Sequence, residues 1–343
     1  MMRVAGYDIG GAHLKVAVAE GGRITAVRQI ACPLWRGVDQ LNAVLVEALS
    51  MTAGAEAHRV TMTGELADVF PDRFTGVSRI VERVAEIVSP RSRFWMGRRG
   101  FGTASEAVAH FEDVASTNFL ATVTLVGRRL PGSGLLVDMG STTTDIVAFS
   151  AGRASPMGVT DAERLASGEL VYTGFTRTPV MAVTTRGVFG GKWQSLARDP
   201  FAAMADVHRI LGTLPDGVDL HRTADGRGTS DDECLSRLAR CFGRDFEPGE
   251  EMQWRLSARQ IAEEQLRSVI DGCLQVLSAR PDCDQLMVSA GIGAAVVAEA
   301  ARRLGAGHVR FAEVAGVGPA QAEWSNCCAP AVAMALLGDE PVE

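Results

Sequence analysis

Two short glycine-bearing segments with the same layout lie about 130 residues apart in the chain. Residues 7–15 read Tyr-Asp-Ile-Gly-Gly-Ala-His-Leu-Lys, and residues 137–145 read Val-Asp-Met-Gly-Ser-Thr-Thr-Thr-Asp. Each follows an apolar run and places Asp-x-Gly before small or hydroxyl residues and then a charge. A strand that ends in a tight glycine turn exposes backbone N–H groups, which together with Ser and Thr hydroxyls surround phosphate oxygens. The pair predicts a duplicated fold that closes on one polyphosphate.

An aspartate stands at the end of each predicted strand. Asp8 and Asp138 are placed to hold a divalent cation, directly or through water, because hard cations prefer oxygen ligands. The alternative is that both residues only form turns, in which Asp-x-Gly is common. Their shared context favours the functional interpretation.

Length and composition limit the classes of protein. A chain of 343 residues is long for one core and suits two domains, and 47% hydrophobic with 22% charged residues is ordinary for a globular protein. The net charge of −7 gives no broad attraction to nucleic acid or anionic lipid, so an anionic ligand needs a local pocket. No apolar run is long enough to span a membrane.

Cysteine usage predicts the redox compartment. The seven cysteines are an odd number and contain no C-x-x-C pair, which is typical of reduced thiols in a cytoplasmic protein and not of a disulfide frame or zinc site. The chain also starts directly with a predicted strand, and Asp8 interrupts any signal-peptide core.

The order of predicted elements separates this chain from dinucleotide-binding folds. A β-hairpin around Gly10 and Gly11 and a third strand over residues 24–30 precede the first helix, whereas a dinucleotide fold enters its helix directly from the glycine loop. A second hairpin follows Gly134. A helix is predicted over residues 104–125, and a late strand over 285–293 runs into a glycine turn and a helix from Ala294.

The predicted division gives an N-terminal domain over residues 1–130 and a C-terminal domain over residues 131–343. An inserted substrate region covers about residues 155–250, and the late glycine turn covers 289–293. Residues 216–232 are rich in Asp, Gly and Thr, which favours a substrate-facing loop or a mobile connection.

Two hairpin phosphate loops followed by a late strand–glycine–helix unit resemble the layout of the actin-like ATPase superfamily. That superfamily includes sugar kinases, heat-shock ATPases and hydantoinase/oxoprolinase subunits, and the resemblance covers most of the chain. It implies an α/β fold of two duplicated actin-like, ribonuclease H-like domains with a cleft between them.

A narrower set of segments resembles the hydantoinase-like proteins of tetrahydromethanopterin-linked one-carbon pathways. The segments are Pro33-Leu34-Trp35-Arg36-Gly37, Thr61-Met62-Thr63-Gly64-Glu65-Leu66, Asp138 to Asp145, Tyr172-Thr173-Gly174 with Arg177-Thr178-Pro179, and Thr223-Ala224-Asp225-Gly226. The group includes a methanofuran-biosynthesis synthase. The resemblance implies condensation of (5-(aminomethyl)furan-3-yl)methyl diphosphate with the phenol of tyramine or γ-glutamyltyramine, forming an ether and releasing diphosphate.

That reaction assigns roles to the loop residues. Mg²⁺ between Asp8 and Asp138 would act as Lewis acid and template, and Lys15 would add a point charge on the diphosphate. The alternative for Lys15 is a solvated strand residue. The predicted phosphate-binding residues are Gly10, Gly11, Gly140, Ser141, Thr142 and Thr143.

The phenol needs a base, and two carboxylates are candidates. Asp145 or Glu65 takes its proton, or either one pairs with the aminomethyl cation of the substrate; Glu65 at a helix start is equally compatible with a dipole effect. Predicted substrate-binding residues are Asn118, Arg177, Gly291 and Gly293. Arg177 either grips a carboxylate such as the glutamyl tail or caps local backbone.

Two other function classes share this fold. An ATP-dependent small-molecule kinase or hydantoinase/oxoprolinase-type ATPase subunit would hold adenine at the 291–293 turn, and a nucleotide-switched scaffold would show slow, partner-stimulated ATPase activity. Ala12 and His13 stand where many ATP-using relatives have Thr, which favours the synthase. The expected partners are small molecules, with homo-oligomerisation left open, and neither nucleic acid nor membrane is expected.

Overall fold

A computed structural model describes residues 1–281, 283 and 286–338. The first third of the chain forms one mixed sheet with helices around it. Its strands are β1 (Arg3–Ile9), β2 (His13–Glu20), β3 (Arg23–Ala31), β4 (Ala57–Met62), β5 (Arg93–Trp95) and β6 (Phe101–Gly102). Its helices are α1 (Val38–Thr52), α2 (Arg73–Ile87), α3 (Ala104–Ala109), α4 (Phe111–Val114) and α5 (Asn118–Arg129).

The rest of the chain forms a second mixed sheet and a small hairpin. The strands are β7 (Gly134–Met139), β8 (Thr144–Ser150), β9 (Arg153–Ala154), β10 (Leu170–Val171), β11 (Arg186–Phe189), β12 (Lys192–Ser195), β13 (Leu286–Ala290) and β14 (Gly307–Arg310). The helices are α6 (Asp161–Ser167), α7 (Val180–Val183), α8 (Met204–Ile210), α9 (Asp231–Cys241), α10 (Glu251–Ser278), α11 (Ala294–Leu304), α12 (Phe311–Val314), α13 (Pro319–Cys327) and α14 (Ala329–Leu336).

The two sheets repeat one topology. The first has the order β3-β2-β1-β4-β5-β6, and the second has β10-β8-β7-β13-β14 with β9 on β8. In each, a central strand pairs antiparallel with its hairpin partner and parallel with a strand that arrives after a helix. Both predicted hairpins and the α/β class are therefore confirmed. The division at residue 130 stays a prediction, and it falls between α5 and β7.

The two hairpin tips are closed in the same way. The Gly10 N–H donates to the carbonyl of His13 at 2.9 Å, and the Gly140 N–H donates to the carbonyl of Thr143 at 2.9 Å. Asp8 pairs with Lys15 across the first hairpin, and Asp138 pairs with Asp145 across the second. Lys15 and Asp145 are thus equivalent positions that carry opposite charges.

The predicted helix over residues 104–125 is wrong as a single element. The structure divides this segment into α3, α4 and α5, with Ser116 at φ 55° just before α5. The Thr117 hydroxyl donates to the carbonyls of Asp113 and Val114. Hydroxyl residues that bond local backbone compete with helix continuation, which explains the break.

Two helices near the C-terminus matter for the site. The helix from Ala294 is confirmed as α11, and the predicted strand before it is β13, although residue 285 lies outside the described residues. The apolar helix α14 is almost wholly buried and packs against β1, β2 and α5. Residues from α7 through α10 form a separate hydrophobic cluster, which covers part of the predicted substrate region and extends past its predicted end into α10. Across the described residues, no helix is both long and apolar enough to cross a membrane.

Candidate active site

A cleft of about 580 Å³ lies between the two hairpin tips, and it is called the main cleft below. Twelve predicted site residues line it, together with Trp35, Ser116 and Arg164. The twelve are Asp8, Gly10, Gly11, Lys15, Asn118, Asp138, Gly140, Ser141, Thr142, Thr143, Asp145 and Arg177. Glu65, Gly291 and Gly293 are not among its lining residues. A single cavity therefore brings together residues separated by up to 169 positions in the chain.

Lys15 is the central cation of the main cleft. Its Nζ lies 3.4 Å from Oδ2 of Asp8, whose side chain is only 3% exposed. Burial acts to lower the pKa of Lys15, but the charges of Asp8 and Asp138 outweigh this effect and the pKa is raised. Lys15 is therefore protonated at neutral pH and available to neutralise an anion.

The aspartates at the two strand ends, Asp8 and Asp138, both have a raised pKa. Burial raises the pKa of Asp8, against the opposing effects of Lys15 and a hydrogen bond from Asn118. Burial also raises the pKa of Asp138 to about 7, with Lys15 lowering it and Asp145 and Asp8 raising it further. Buried carboxylates close to one another favour the binding of additional positive charge.

The donor set is compatible with a hard divalent cation. Oδ1 of Asp8 is buried without a hydrogen-bond partner, which is the state expected of an oxygen that binds an ion. Within the described residues, no group of three or more His, Cys, Asp or Glu side chains has the arrangement of a metal site. A Mg²⁺ ion here would therefore complete its coordination with phosphate oxygens and water, as Mg²⁺ commonly does.

Asp145 has a partner that the sequence did not reveal. The buried Arg164 donates to Oδ1 of Asp145 at 2.6 Å and to the carbonyl of Glu169 at 3.1 Å. The guanidinium carbon of Arg164 lies 3.6 Å from the centre of the Phe119 ring. Asp145 is thus held in the main cleft as one half of an ion pair.

Glu65 lies behind the wall of the main cleft. Its side chain is buried, its Oε1 accepts a hydrogen bond from the Ser116 hydroxyl at 2.8 Å, and its Oε2 has no partner. Burial raises the pKa of Glu65 to about 6. Since Ser116 lines the main cleft, it connects this carboxylate with the cavity. The positive φ of Ser116 is the kind of backbone strain that clusters at functional sites.

The late glycine turn packs against the second hairpin. A Cβ at Gly291 would lie 2.2 Å from the carbonyl oxygen of Met139, and one at Gly293 would lie 2.4 Å from the Met139 sulfur. Gly291 also has φ 81°, which favours glycine. Close packing on β7 therefore accounts for both glycines without a ligand, and their predicted substrate role stays a prediction.

Three residues that contact predicted site residues or their neighbours were not predicted from the sequence. Ser116 and Arg164 act on residues 51 and 19 positions away, and His221 stacks on His13 with ring centres 4.6 Å apart. Only Arg164 had a signal, since a lone arginine near a predicted acidic site is a candidate partner for it. Ser116 and His221 had none.

The model of the Hydantoinase_A family, described as hydantoinase/oxoprolinase, matches residues 56–325. The chain belongs to the hydantoinase/oxoprolinase family. Among the solved structures, acetone carboxylase in its nucleotide-free state shares 10% identity and covers 97% of this chain and 70% of its own, with a TM-score of 0.55. This likeness concerns the fold alone of this hydantoinase/oxoprolinase member.

Two curated relatives of this family member are synthases with the same name. The protein from Methanocaldococcus jannaschii, named (4-{4-[2-(gamma-L-glutamylamino)ethyl]phenoxymethyl}furan-2-yl)methanamine synthase, is 33% identical over 244 residues, which is 71% of this chain and 72% of the relative. The protein of the same name from Methanococcus vannielii is 31% identical over 121 residues, which is 35% of this chain. The chain spans about half, 54%, of that second relative.

Proposed function

We propose that this hydantoinase/oxoprolinase member is a transferase of methanofuran-type cofactor biosynthesis. It condenses (5-(aminomethyl)furan-3-yl)methyl diphosphate with the phenol of tyramine or γ-glutamyltyramine, forms an aryl-alkyl ether and releases diphosphate. Support comes from the names of the two synthases and from the chemistry of the main cleft. The observation that carries the proposal is that both hairpin tips, with Asp8, Lys15 and Asp138, line one cavity.

The main cleft is suited to a diphosphate leaving group. The N–H groups and hydroxyls of the two hairpin tips bind phosphate oxygens, and the protonated Lys15 neutralises charge as the bond to carbon breaks. Asp8 and Asp138 would hold Mg²⁺, which supplies Lewis-acid charge to the diphosphate when bound. The furan ring delocalises positive charge at the methylene carbon, so neutralising the leaving group lowers the main barrier.

The phenol is activated through Ser116. Its oxygen attacks the methylene carbon, the carbon–oxygen bond to diphosphate breaks, and the bonding pair leaves with the diphosphate. The phenol proton passes to the Ser116 oxygen as the Ser116 proton passes to Glu65, since these side chains are already hydrogen-bonded at 2.8 Å. A base with a pKa of about 6 is largely ionised at neutral pH and accepts this proton effectively.

Asp145 is better suited to recognition of the substrate cation. Its carboxylate lines the main cleft and is already bonded to Arg164 at 2.6 Å, whereas Oε2 of Glu65 has no hydrogen-bond partner. A second oxygen of Asp145 is available to the aminomethyl ammonium group of the furan. Asn118, at the start of α5, adds a polar contact in the same cavity.

The position of the late glycine turn favours the transferase over an ATP-dependent kinase or ATPase subunit. None of the residues lining the main cleft comes from β13, the turn or α11, the segment that would hold adenine. The turn is instead packed against Met139. The transferase reaction needs only a diphosphate-binding site between the two hairpin tips, so it requires no adenine contact from the late glycine turn.

The test is incubation of the protein with the furan diphosphate, Mg²⁺ and either tyramine or γ-glutamyltyramine, without nucleotide. Mass spectrometry is expected to detect the ether, and a diphosphate assay is expected to detect one diphosphate per ether. Asp138→Asn is the matched inactive control. No ether from either acceptor, together with tight ATP binding by calorimetry, would reject the transferase and support the kinase or ATPase alternative.

A further inference from the structure

The tip of the second hairpin packs on residues 173–177, which are called the supporting segment below. The Phe175 N–H donates to the carbonyl of Gly140 at 2.9 Å, and the Arg177 N–H donates to the carbonyl of Ser141 at 2.8 Å. Both acceptors belong to the tip that is expected to bind diphosphate. The conformation of the tip therefore depends on where the supporting segment is held.

These hydrogen bonds orient the N–H groups of the tip. A trans peptide group is planar, so its carbonyl and its N–H point in opposite directions. Because the carbonyls of Gly140 and Ser141 point toward the supporting segment, the N–H groups of Ser141 and Thr142 point away from it. Within the part of the chain that the structure describes, these two N–H groups have no acceptor, and both residues line the main cleft. They are therefore available to phosphate oxygens.

A fully buried glutamine on α10 holds the supporting segment in place. The Nε2 of Gln265 donates to Oγ1 of Thr173 at 3.0 Å and to the carbonyl of Gly174 at 2.8 Å. A backbone carbonyl only accepts, so the nitrogen of the side-chain amide is the atom that faces Gly174. A Cβ at Gly174 would lie 2.3 Å from the backbone nitrogen of Thr142. Gln265 is therefore connected with the hairpin tip through one closely packed residue.

A buried histidine fixes this glutamine. The Nε2 of His208 lies 3.0 Å from Oε1 of Gln265, and its Nδ1 lies 2.9 Å from Oγ1 of Thr213. Both hydrogens of the Gln265 amide are already used, so Oε1 accepts and Nε2 of His208 carries the proton. Burial lowers the pKa of His208 to about 4, so the ring is neutral at pH 7 and its Nδ1 accepts from the Thr213 hydroxyl. The ring also stacks on Phe175, with ring centres 3.8 Å apart.

Packing alone does not explain why two polar side chains occupy these buried positions. Gln265 is 0% exposed and His208 is 3% exposed. Burying a polar group is costly unless it is hydrogen-bonded, and an apolar side chain of similar size would avoid that cost. A fully bonded polar network specifies one arrangement of the groups it joins, which apolar packing does less strictly. The network is thus suited to fixing the supporting segment at one distance from the hairpin tip.

We propose that Gln265 is a positioning residue for diphosphate binding, which, together with His208, holds the supporting segment so that the N–H groups of the second hairpin tip face the main cleft. This inference rests on the proposed transferase function and deepens it, because neither residue lines the main cleft. Donors that are already oriented stabilise the charge on a leaving group without reorganising as it forms.

The experiment titrates the intact protein with inorganic diphosphate and Mg²⁺ in a calorimeter. Gln265→Met keeps the length of the side chain and removes both hydrogen bonds to the supporting segment, and diphosphate binding is expected to weaken about tenfold, since one hydrogen bond is worth up to about that much. Ser257→Ala is the matched control. Ser257 is buried on the same helix, and its hydroxyl donates to the carbonyl of Val188, outside the supporting segment. This control is expected to bind diphosphate as the wild type does.

Hydrogen exchange measured by mass spectrometry separates a positioning role from a general loss of stability. Gln265→Met is expected to increase exchange in residues 139–144 and in the supporting segment, where diphosphate is expected to protect the wild type. Ser257→Ala is expected to leave exchange in residues 139–144 unchanged, even if its melting temperature falls as far as that of Gln265→Met.

A second pair of variants decides the question if Gln265→Met does not fold. His208→Gln retains an amide N–H that can donate to Oε1 of Gln265, whereas His208→Leu retains none. Diphosphate binding is expected to weaken about tenfold in His208→Leu and to be largely restored in His208→Gln. Equal affinities in these two variants would overturn the positioning role.

The outcomes for the positioning role and for the transferase reaction are distinguishable. Diphosphate affinity that is unchanged in Gln265→Met, or lowered equally in Ser257→Ala, would overturn the positioning role even if the wild type forms the ether. Weaker diphosphate binding in Gln265→Met alone would support it even if no ether forms. A wild-type protein that binds no diphosphate would overturn it as well.

Discussion

Lys15 faces Asp8 across the β1–β2 ladder, with its Nζ 3.4 Å from Oδ2 of the aspartate. The equivalent pair in the second hairpin is Asp138 and Asp145. The four equivalent positions of the two hairpins therefore carry one lysine and three carboxylates. Asp8 is only 3% exposed, so water does little to stabilise its ionised carboxylate. In the absence of a bound cation, the positive charge of Lys15 stabilises it instead. The same lysine is therefore expected to contribute both to folding stability and to binding of the leaving group.

Removing Lys15 is expected to destabilise the fold and abolish activity. Lys15→Met leaves a buried carboxylate without its partner, so the free energy of unfolding in urea is expected to fall by about 3 kcal/mol. Adding Asp8→Asn is expected to recover most of this stability but none of the activity. Lys192→Met, which removes an exposed lysine on β12, is the control. A double variant as unstable as Lys15→Met would disprove the proposed dependence.

Metal removal is expected to stop ether formation reversibly. In the proposed mechanism, the unpartnered Oδ1 of Asp8 and the buried Asp138 would hold Mg²⁺, and phosphate oxygens and water would complete its coordination. Treatment with EDTA is expected to lower the rate at least about 100-fold, with recovery on adding Mg²⁺. Asp138→Asn is expected to lose activity that Mg²⁺ does not restore, while circular dichroism stays unchanged. Full activity after EDTA would remove the metal from the mechanism.

Local spacing predicted the parts of the site that lie within one hairpin. Asp8 and Gly10, and likewise Asp138 and Gly140, are two residues apart, so a single turn fixes their relationship. Contacts between distant segments were not predictable. The Glu65–Ser116 hydrogen bond spans 51 residues, and it depends on a helix break that the apolar pattern of residues 104–125 conceals.

Two further contacts near the site could not be predicted from the sequence. Arg164 reaches Asp145 only because α6 and β10 return to the edge of β8, and His221 reaches His13 through a loop with no periodic pattern. Such contacts are set by tertiary packing, which residue spacing in one sequence does not encode.

Gly11 is expected to be needed for the ligand and not for the fold. A Cβ at this position would meet no atom within 4 Å, so Gly11→Ala is expected to leave the melting temperature within about 2 °C of the wild type. The added methyl group would stand where the diphosphate approaches the backbone, and kcat/KM for the furan diphosphate is expected to fall about tenfold or more. Gly318→Ala, also in open space but outside the main cleft, is the control. Unchanged kinetics in Gly11→Ala would move the diphosphate away from the first hairpin.

Glu65→Gln is expected to separate stability from activity. The pKa of the buried carboxyl is raised from 4.5 to about 6, so the folded state binds its proton more tightly than the unfolded state, and stability falls as pH rises through this range. At pH 8 ionised Glu65 costs about 2 kcal/mol of unfolding free energy. The glutamine variant avoids this cost and is expected to be as stable as the wild type or more stable at pH 8, with no such gain below about pH 4.5.

The kinetic readout of the same variant tests the proton path. Wild-type kcat/KM is expected to fall as pH drops below about 6, because protonated Glu65 no longer accepts a proton through Ser116. Glu65→Gln is expected to lose at least about 100-fold in kcat and to lack this acid limb, and Ser116→Ala is expected to lower kcat in the same direction. A purely structural role predicts the opposite pattern, in which Glu65→Gln is less stable at pH 8 and retains the acid limb.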